Sequence, residues 1–422
     1  MNREKTLLKN IIIYAIGNFG SKILIFLLLP LYTRYLSVSE YGYYDIITTT
    51  IYVIIPIVTL QITEGLYRFV IDTNDEQGKI EVISNAFRII TKNVILFDVL
   101  YFVVYFIIPF KFGLIILIQI NLAIFAGMMQ QISRGKKDNL VYSISGLIAT
   151  FITLISNIIL IMYVGLKIEG LIISNILGFL STIVFIQYKL KIIRNIKYSL
   201  ENIKIKKMLY SYSIPLIPTG IGWWIINVSD RYMLNYYLGI EANGLYGIAN
   251  KFPAILLMVS NLFYLAWQEI SITEYNSEDR DSFYSKMFNF IMILQLTVVI
   301  VLIANTKTMF RIIIHEEFFS AWKYVPFLYM GTVFSTFSSF YGIGYQVAKQ
   351  TKGAFYTSIV GCLVNIGVNL FLIPILGIQG ASFSTMAGFI SMWIIRVYQT
   401  KKYFNIHINK GQFVSFGFVS IR

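Results

Sequence analysis

The sequence predicts an all-α polytopic membrane protein, with about 12 transmembrane helices arranged as two parallel six-helix bundles. Three observations predict it. Of 422 residues, 57% are hydrophobic and only 13% are charged, which is about half the charged share of a soluble globule. Apolar runs of about 20 residues, enough to cross a hydrocarbon core of ~30 Å, recur along the chain. Two short patterns also occur twice, in the same order and six spans apart. A β-barrel would instead show alternating segments of roughly 10 residues.

Taken in order, the spans cover roughly 10–32, 43–66, 86–109, 112–132, 140–164, 168–188, 212–238, 245–268, 287–305, 324–347, 354–376 and 379–397. The basic start "MNREKTLLKN" followed by "IIIYAIGNFG" has the head and middle of a secretory signal. The apolar stretch runs on to about Tyr32 with no small-residue cleavage site, so it reads as an uncleaved first helix. Connections are short except near 67–85, 189–211, 269–285 and 306–323.

The loops set the orientation. With the N-terminus inside, the cytoplasmic side holds Arg3, Lys5, Lys9, the cluster "RGKKDN" at 134–139, Lys349, Lys352, Lys401 and Lys402. It also holds the densest basic run, "KLKIIRNIKYSLENIKIKK" at 189–207. The opposite side has Arg34, Lys111, Lys167, Lys307, Arg311 and Lys323. Both termini are therefore expected in the cytoplasm, and the net charge of +14 needs no nucleic-acid partner. The run at 189–207 reads as a topology anchor between two halves, or as a lipid-headgroup or partner site.

The repeats support a division at that run. "RYLSVSEYGYY" (34–44) follows span one, and "YYLGIEANGLY" (236–246) follows span seven. Both place a Gly six residues after a Leu and a Tyr two residues further on. They are expected to end a helix at the outer interface and turn the chain into the next span. "NIILIMYVGLKIEGLIISNILGF" (157–179) and "NLFLIPILGIQGASFSTMAGF" (369–389) form the second pair. An even number of spans between copies makes the halves parallel, with a substrate site expected between them. The expected division is 1–188, a basic linker at 189–211, 212–397, and a cytoplasmic tail at 398–422.

Charges inside spans cost about 2.5–3.5 kcal/mol each on insertion scales and usually face a cavity. Span one aligns Tyr14, Asn18, Ser21 and Lys22, and span three aligns Asn85, Arg88 and Lys92, with Asp98 deeper. Span seven has Trp224, Asn227 and Arg231 at helical spacing beside Asp230, and span eight opens with Asn250 and Lys251. Cations at several depths suit an anionic substrate such as a phosphate-linked lipid. Lys22, Lys92, Asn227, Arg231, Asn250 and Lys251 are thus the substrate-binding candidates. Each cation fits equally well with snorkelling or an internal ion pair, for example Asp230 with Lys251. Glu64, Asp98 and Asp230 are candidates for a coupling proton or sodium ion. Glu64 can instead pair with Arg68 one turn away, and Asp45 reads as interfacial. Pro215 and Pro218, with Gly220 and Gly222 following, mark a hinge or an ordinary packing kink in span seven.

Little supports an enzyme. One cysteine, Cys362, excludes an internal disulfide framework and a thiolate metal cluster. His315 and His407 lie far apart, and no cofactor or metal is expected. The acidic cluster "EDRD" at 278–281 reads as a solvated loop.

"RYLSVSEYGYY", "SDRYMLNYYLGIEANGLYGIANK" (229–251) and "VNLFLIPILGIQGASFSTMAG" (368–388) together resemble the polysaccharide transporter family. These are the O-antigen and capsule repeat-unit flippases of the MOP superfamily, which also holds MATE exporters and lipid II flippases. The resemblance implies two six-helix bundles around a cationic lumen, and alternating access that moves undecaprenyl-diphosphate-linked oligosaccharide across the bacterial inner membrane. Polysaccharide polymerase and assembly proteins would be partners. Asp230, Arg231 and Lys251 occupy family-like positions, while Lys22 and Lys92 are nominated by depth alone. Many members have 12 to 14 spans, and "GQFVSFGFVSIR" is too short to add one, so the tail reads as truncated or as lacking a further helix. The rival readings are a MATE-like exporter of small molecules and an integral-membrane glycosyltransferase.

Overall fold

A computed structural model describes residues 26–196, 202–273, 275–348 and 351–407. The described elements are helices, and they run in chain order. They begin with α1 (Leu29–Tyr35), α2 (Val38–Thr59), α3 (Ile62–Asp72), α4 (Glu76–Ile107) and α5 (Gly113–Gly135). α6 (Asn139–Asn157), α7 (Ile168–Leu190), α8 (Ile192–Asn195) and α9 (Ile203–Ser213) follow. The chain continues with α10 (Ile217–Leu238), α11 (Ile240–Ala249), α12 (Pro253–Thr273) and α13 (Arg280–Ile313). It closes with α14 (Val325–Val347), α15 (Thr351–Leu376) and α16 (Ile378–Thr400). Eight of the described helices are long and apolar enough to cross a membrane: α2, α4, α5, α6 with its π-helical extension, α7, α13, α15 and α16. The protein is an all-α polytopic membrane protein.

Two of the expected spans are broken. The run at 43–66 divides into α2 and α3 at Leu60 and Gln61, which take positive φ of 51° and 55°, one turn after Pro56 inside α2. The run at 245–268 divides into α11 and α12. Pro253 opens α12 without an N–H, and the preceding amides of Asn250 and Lys251 close onto Tyr246 and Ile248 at 3.0 Å each. At 1.5 Å per residue, the 32 residues of α4 and 34 of α13 reach about 50 Å, so their ends stand well outside a ~30 Å core.

The chain forms two compact units. Unit 1 comprises 1–36 and 47–221, and unit 2 comprises 37–46 and 222–422. Thus α2 starts within unit 2 and passes into unit 1 at Ile47. In unit 1, α6 ends in a π-helical turn (Ile158–Tyr163), and Gly165 at φ +77° sends the chain into α7. In unit 2, α15 and α16 form a matching hairpin around Gly377 at φ +61°. A positive φ is what glycine supplies cheaply, which is why the second sequence repeat keeps a Gly at each turn. Further along each hairpin, Gly178 sits against the Ala149 carbonyl and Gly388 against the Gly361 carbonyl, so small residues let the paired helices approach.

The first repeat has a different role from the turn expected of it. Gly42 lies inside α2 and Gly244 inside α11, and the two meet within unit 2. A Cβ on Gly42 would stand 2.8 Å from the Gly244 nitrogen, and one on Gly244 would stand 2.9 Å from Val38 Cγ1. The Asn243 amide donates to the Gly42 carbonyl at 2.8 Å, and Ser39 donates to Glu241 at 3.1 Å. The glycines are there because two helices cross backbone to backbone. Gly244→Val is expected to cost ~1–3 kcal/mol or more, because besides Val38 Cγ1 it meets the Val38 carbonyl, a backbone group that cannot yield as a side chain can. Thermal denaturation of the full-length protein in detergent checks this.

Candidate functional site

Span seven supplies the centre of the site. Asp230 and Arg231 are adjacent on α10, both buried at 1% and 8% exposure, and each is held by a separate set of partners. The carboxylate of Asp230 accepts four hydrogen bonds. Oδ1 takes the side-chain amides of Asn365 (3.2 Å) and Asn369 (2.5 Å), one turn apart on α15. Oδ2 takes the hydroxyls of Tyr246 on α11 and Thr385 on α16, both at 2.5 Å. Four is about the full capacity of a carboxylate, and all four donors are neutral.

A second layer of polar groups orients those donors. Ser384 donates to Asn369 Oδ1, and Ser229 donates to Asn365 Oδ1 at 3.1 Å. Asn369 also reaches Asn365 Oδ1 at 3.3 Å. These contacts turn both amide NH2 groups toward Asp230. Asn365, Asn369 and Ser384 are fully buried, so each bond forms where water does not compete and a missing partner is costly.

Arg231 turns to the other side. Its Nε donates to Asp45 Oδ2 at 2.5 Å, and its guanidinium stands 5.7 Å from the centre of the Tyr246 ring. Asp45 is 3% exposed and lies against Gly247, where a Cβ would stand 3.0 Å from its carboxyl carbon. Asp45 is therefore not the interfacial residue expected from its place near a helix start. It is one half of a buried ion pair. Tyr246, the last residue of the first repeat's second copy, bridges the two halves of the site, bonding Asp230 through its hydroxyl while its ring faces Arg231.

The other sequence candidates lie elsewhere. Asn250 caps α11 by donating to the Tyr246 carbonyl at 2.9 Å, and Lys251 is half-buried in the break before α12. Glu64, Asp98 and Lys92 belong to unit 1. Glu64 accepts from Gln131 at 2.9 Å rather than pairing with Arg68, which instead bridges to Asp72 at 3.2 Å. Asp98 accepts from Asn121 at 3.1 Å on both oxygens. Lys92 is exposed at the head of a stripe of exposed apolar residues, Leu96, Val99 and Val103, where a lysine stem can lie along apolar surface. Pro215 lies in a 3-10 turn (Ile214–Leu216) joining α9 to α10, and Pro218 opens α10. Lys22 and the side chains of Pro218 and Asn227 lie outside the described residues.

Sequence reasoning missed Tyr246, Asn365, Asn369, Ser384 and Thr385 as site residues. Asn369, Ser384 and Thr385 fall in the second repeat (369–389), Asn365 lies one turn before it and Tyr246 closes the first repeat. The signal was polar groups in otherwise apolar spans, which membranes tolerate only with partners.

Comparisons with known proteins agree with this architecture. The family model described as "Polysaccharide biosynthesis protein" matches residues 7–268, well over half the chain, and the MatE model matches residues 215–371. An uncharacterized membrane protein of Methanocaldococcus jannaschii is 25% identical over 211 residues, covering 47% of this chain and 40% of that relative's length. The fold is similar to a solved structure of the lipid II flippase MurJ in an inward closed conformation. That match has a TM-score of 0.76 and 15% identity, covering 97% of this chain and 91% of the other. An inward-facing multidrug resistance MATE family transporter of the MOP superfamily gives a TM-score of 0.75 and 12% identity, covering 90% and 94%. A MATE transporter of Vibrio cholerae gives 0.63 and 13%, covering 94% and 97%. The fold is thus similar to those of MurJ and the MATE transporters, and the chain belongs to the polysaccharide biosynthesis protein family.

Proposed function

We propose that the protein moves an oligosaccharide repeat unit, linked through a diphosphate to a polyprenyl carrier, from the inner to the outer leaflet of the bacterial cytoplasmic membrane by alternating access. The product would feed surface polysaccharide such as O-antigen, capsule or exopolysaccharide, with a polymerase and assembly proteins acting afterwards. The observation that carries this reading is the family match over residues 7–268. The likeness to a lipid II flippase fold supports it. Both termini are assigned to the cytoplasm on the loop charges.

Lys22, Lys92, Arg231 and Lys251, with Asn227 and Asn250, are assigned to the anionic headgroup. Arg231 must release Asp45 before it can meet a diphosphate; Lys251, in the break before α12, is tested separately from that pair. Asp230 is assigned as the coupling site in preference to Glu64 and Asp98. It is fully buried and four-coordinate, whereas each of the others holds one amide. Its partners can reverse polarity: an amide turned about its last torsion, or a rotated hydroxyl, presents oxygen in place of N–H or O–H. The same cluster therefore suits a carboxylate, a protonated acid or a small hard cation. Membrane potential adds about 2.3 kcal/mol per charge per 100 mV, and Pro215 and Pro218 would absorb the bending of α10.

The test is genetic and chemical. Deleting the gene should abolish surface polysaccharide and leave lipid-linked repeat units on the inner leaflet. The wild-type chain should restore display, and Lys251→Ala should not, although it reaches the membrane in equal amount. Unchanged surface polysaccharide in the deletion would overturn the reading. The MatE match over 215–371 favours a second reading, an ion-coupled exporter of small molecules. That reading predicts increased drug susceptibility in the deletion with polysaccharide intact. An integral-membrane glycosyltransferase would instead form product from a nucleotide-sugar donor in detergent.

A further inference from the structure

A cavity of about 280 Å³ lies within unit 2 between α12 and α14, apart from the Asp230 cluster. Its volume is just below the ~300–1,000 Å³ typical of small-molecule sites, enough for one ring-sized group rather than a whole repeat unit. None of the described residues that line it is charged.

The lining has two kinds of wall. Phe263 and Tyr264 stand on α12, backed by Trp267, whose indole stacks on Phe340 of α14 at 4.2 Å and 11°. The indole N–H donates to the Phe340 carbonyl at 3.4 Å, and Phe263 lies nearly parallel to Phe340 at 6.4 Å and 15°. Trp267 and Phe340 cover one another's faces, and the half-buried rings of Phe263 and Tyr264 are the ones left to meet an occupant with an electron-rich face. Ser335 and Ser339 share one face of α14, and Asn261 contributes from α12, whereas Ser260 is already committed, donating to the Leu256 carbonyl at 2.9 Å and accepting from Gln295 at 2.7 Å. Thr336 is already committed to the Thr332 carbonyl at 3.0 Å.

An acyl chain would gain nothing from the hydroxyls of Ser335 and Ser339 and the Asn261 amide. A phosphate would need a cation at the wall, and a cationic drug a carboxylate. What remains is a neutral ring with one C–H-rich face and hydroxyls at its rim. We infer that this cavity is a saccharide subsite, which holds one uncharged sugar residue of the substrate against the Phe263–Tyr264 wall while Ser335, Ser339 and Asn261 bond its hydroxyls. This inference rests on the proposed flippase reading and adds a place where the glycan, rather than the diphosphate, is recognised.

The experiment has two arms. In the first, saturation-transfer NMR is run on the full-length protein in detergent with free maltose, cellobiose and N,N′-diacetylchitobiose as probes. Wild type should transfer saturation to at least one disaccharide. Ser339→Leu, which fills the cavity, and Asn261→Leu, which changes an exposed lining residue with little effect on the core, should each reduce the transfer about tenfold. No transfer from wild type, or equal transfer from Asn261→Leu, overturns the inference. In the second arm, both variants replace the wild-type gene in the native host. Surface polysaccharide should fall at equal protein level. Full display with both variants, in a host where gene deletion abolishes display, overturns the subsite and leaves the flippase reading standing. Normal display in the deletion itself overturns the flippase reading.

Discussion

Arg231→Ala is expected to lower the thermal midpoint of the detergent-solubilised protein by about 3–6 °C, Asp45→Ala to do much the same, and the double replacement to recover most of the loss. The pair is nearly fully buried at a 2.5 Å contact. Removing one partner leaves the other charge desolvated and uncompensated, which costs ~3–5 kcal/mol in buried pairs, whereas removing both discards the penalty with the attraction. The double-mutant coupling should therefore be large, beyond the ~0.5 kcal/mol within which independent sites add. Additive losses would show that Asp45 and Arg231 act separately. Arg231→Lys sharpens the result, since a lysine keeps the charge without the directed Nε–H fork. Asp45 is carried by the segment 37–46, which counts with unit 2, while its helix continues into unit 1 from Ile47. In the alternating-access reading, this pair is where the start of α2 is held, and a lysine that restores stability should still slow transport.

The same pair shows what could be read from the sequence. Hydropathy and length were sufficient for the class and for most helix positions, because burial in lipid imposes a local, repetitive requirement on every span. Asp230 and Arg231 were visible for the same reason: charges in an apolar run are expensive wherever they point. Their partners were not. Asp45 is 186 residues from Arg231, and Asn365, Asn369 and Thr385 lie 135 to 155 residues from Asp230. No spacing rule joins positions so distant, so Asp45 passed as interfacial and Glu64 was matched to the wrong neighbour. The break at Leu60 and Gln61 was hidden as well, since neither residue favours positive φ and only Pro56, a turn earlier, hints at it. The repeat was recognised as a repeat, yet its glycines were read as turns. Their helix-crossing role required seeing Gly42 and Gly244 face each other.

Asp230→Asn is expected to fold with a thermal midpoint close to wild type and to lose transport on the order of 100-fold, the upper range of a coupling free energy of ~1–3 kcal/mol. Folding should survive because the substitution keeps shape and hydrogen-bond capacity. The new NH2 would face Tyr246 and Thr385, whose hydroxyls can accept as readily as donate, and the retained oxygen would face the amides of Asn365 and Asn369. Asp230→Leu is different. It leaves four buried donors without an acceptor, at ~1–3 kcal/mol each when fully unmet, and should be unstable. The comparison isolates charge from packing: both variants remove the carboxylate, and only one removes the bonds. Transport by Asp230→Asn in proteoliposomes should no longer respond to a sodium or proton gradient, whereas Glu64→Gln and Asp98→Asn should retain that response. A charge-free Asp230 that still transports with its gradient dependence intact would move the coupling site elsewhere. The four-donor cluster would then be a device for holding α10, α11, α15 and α16 together.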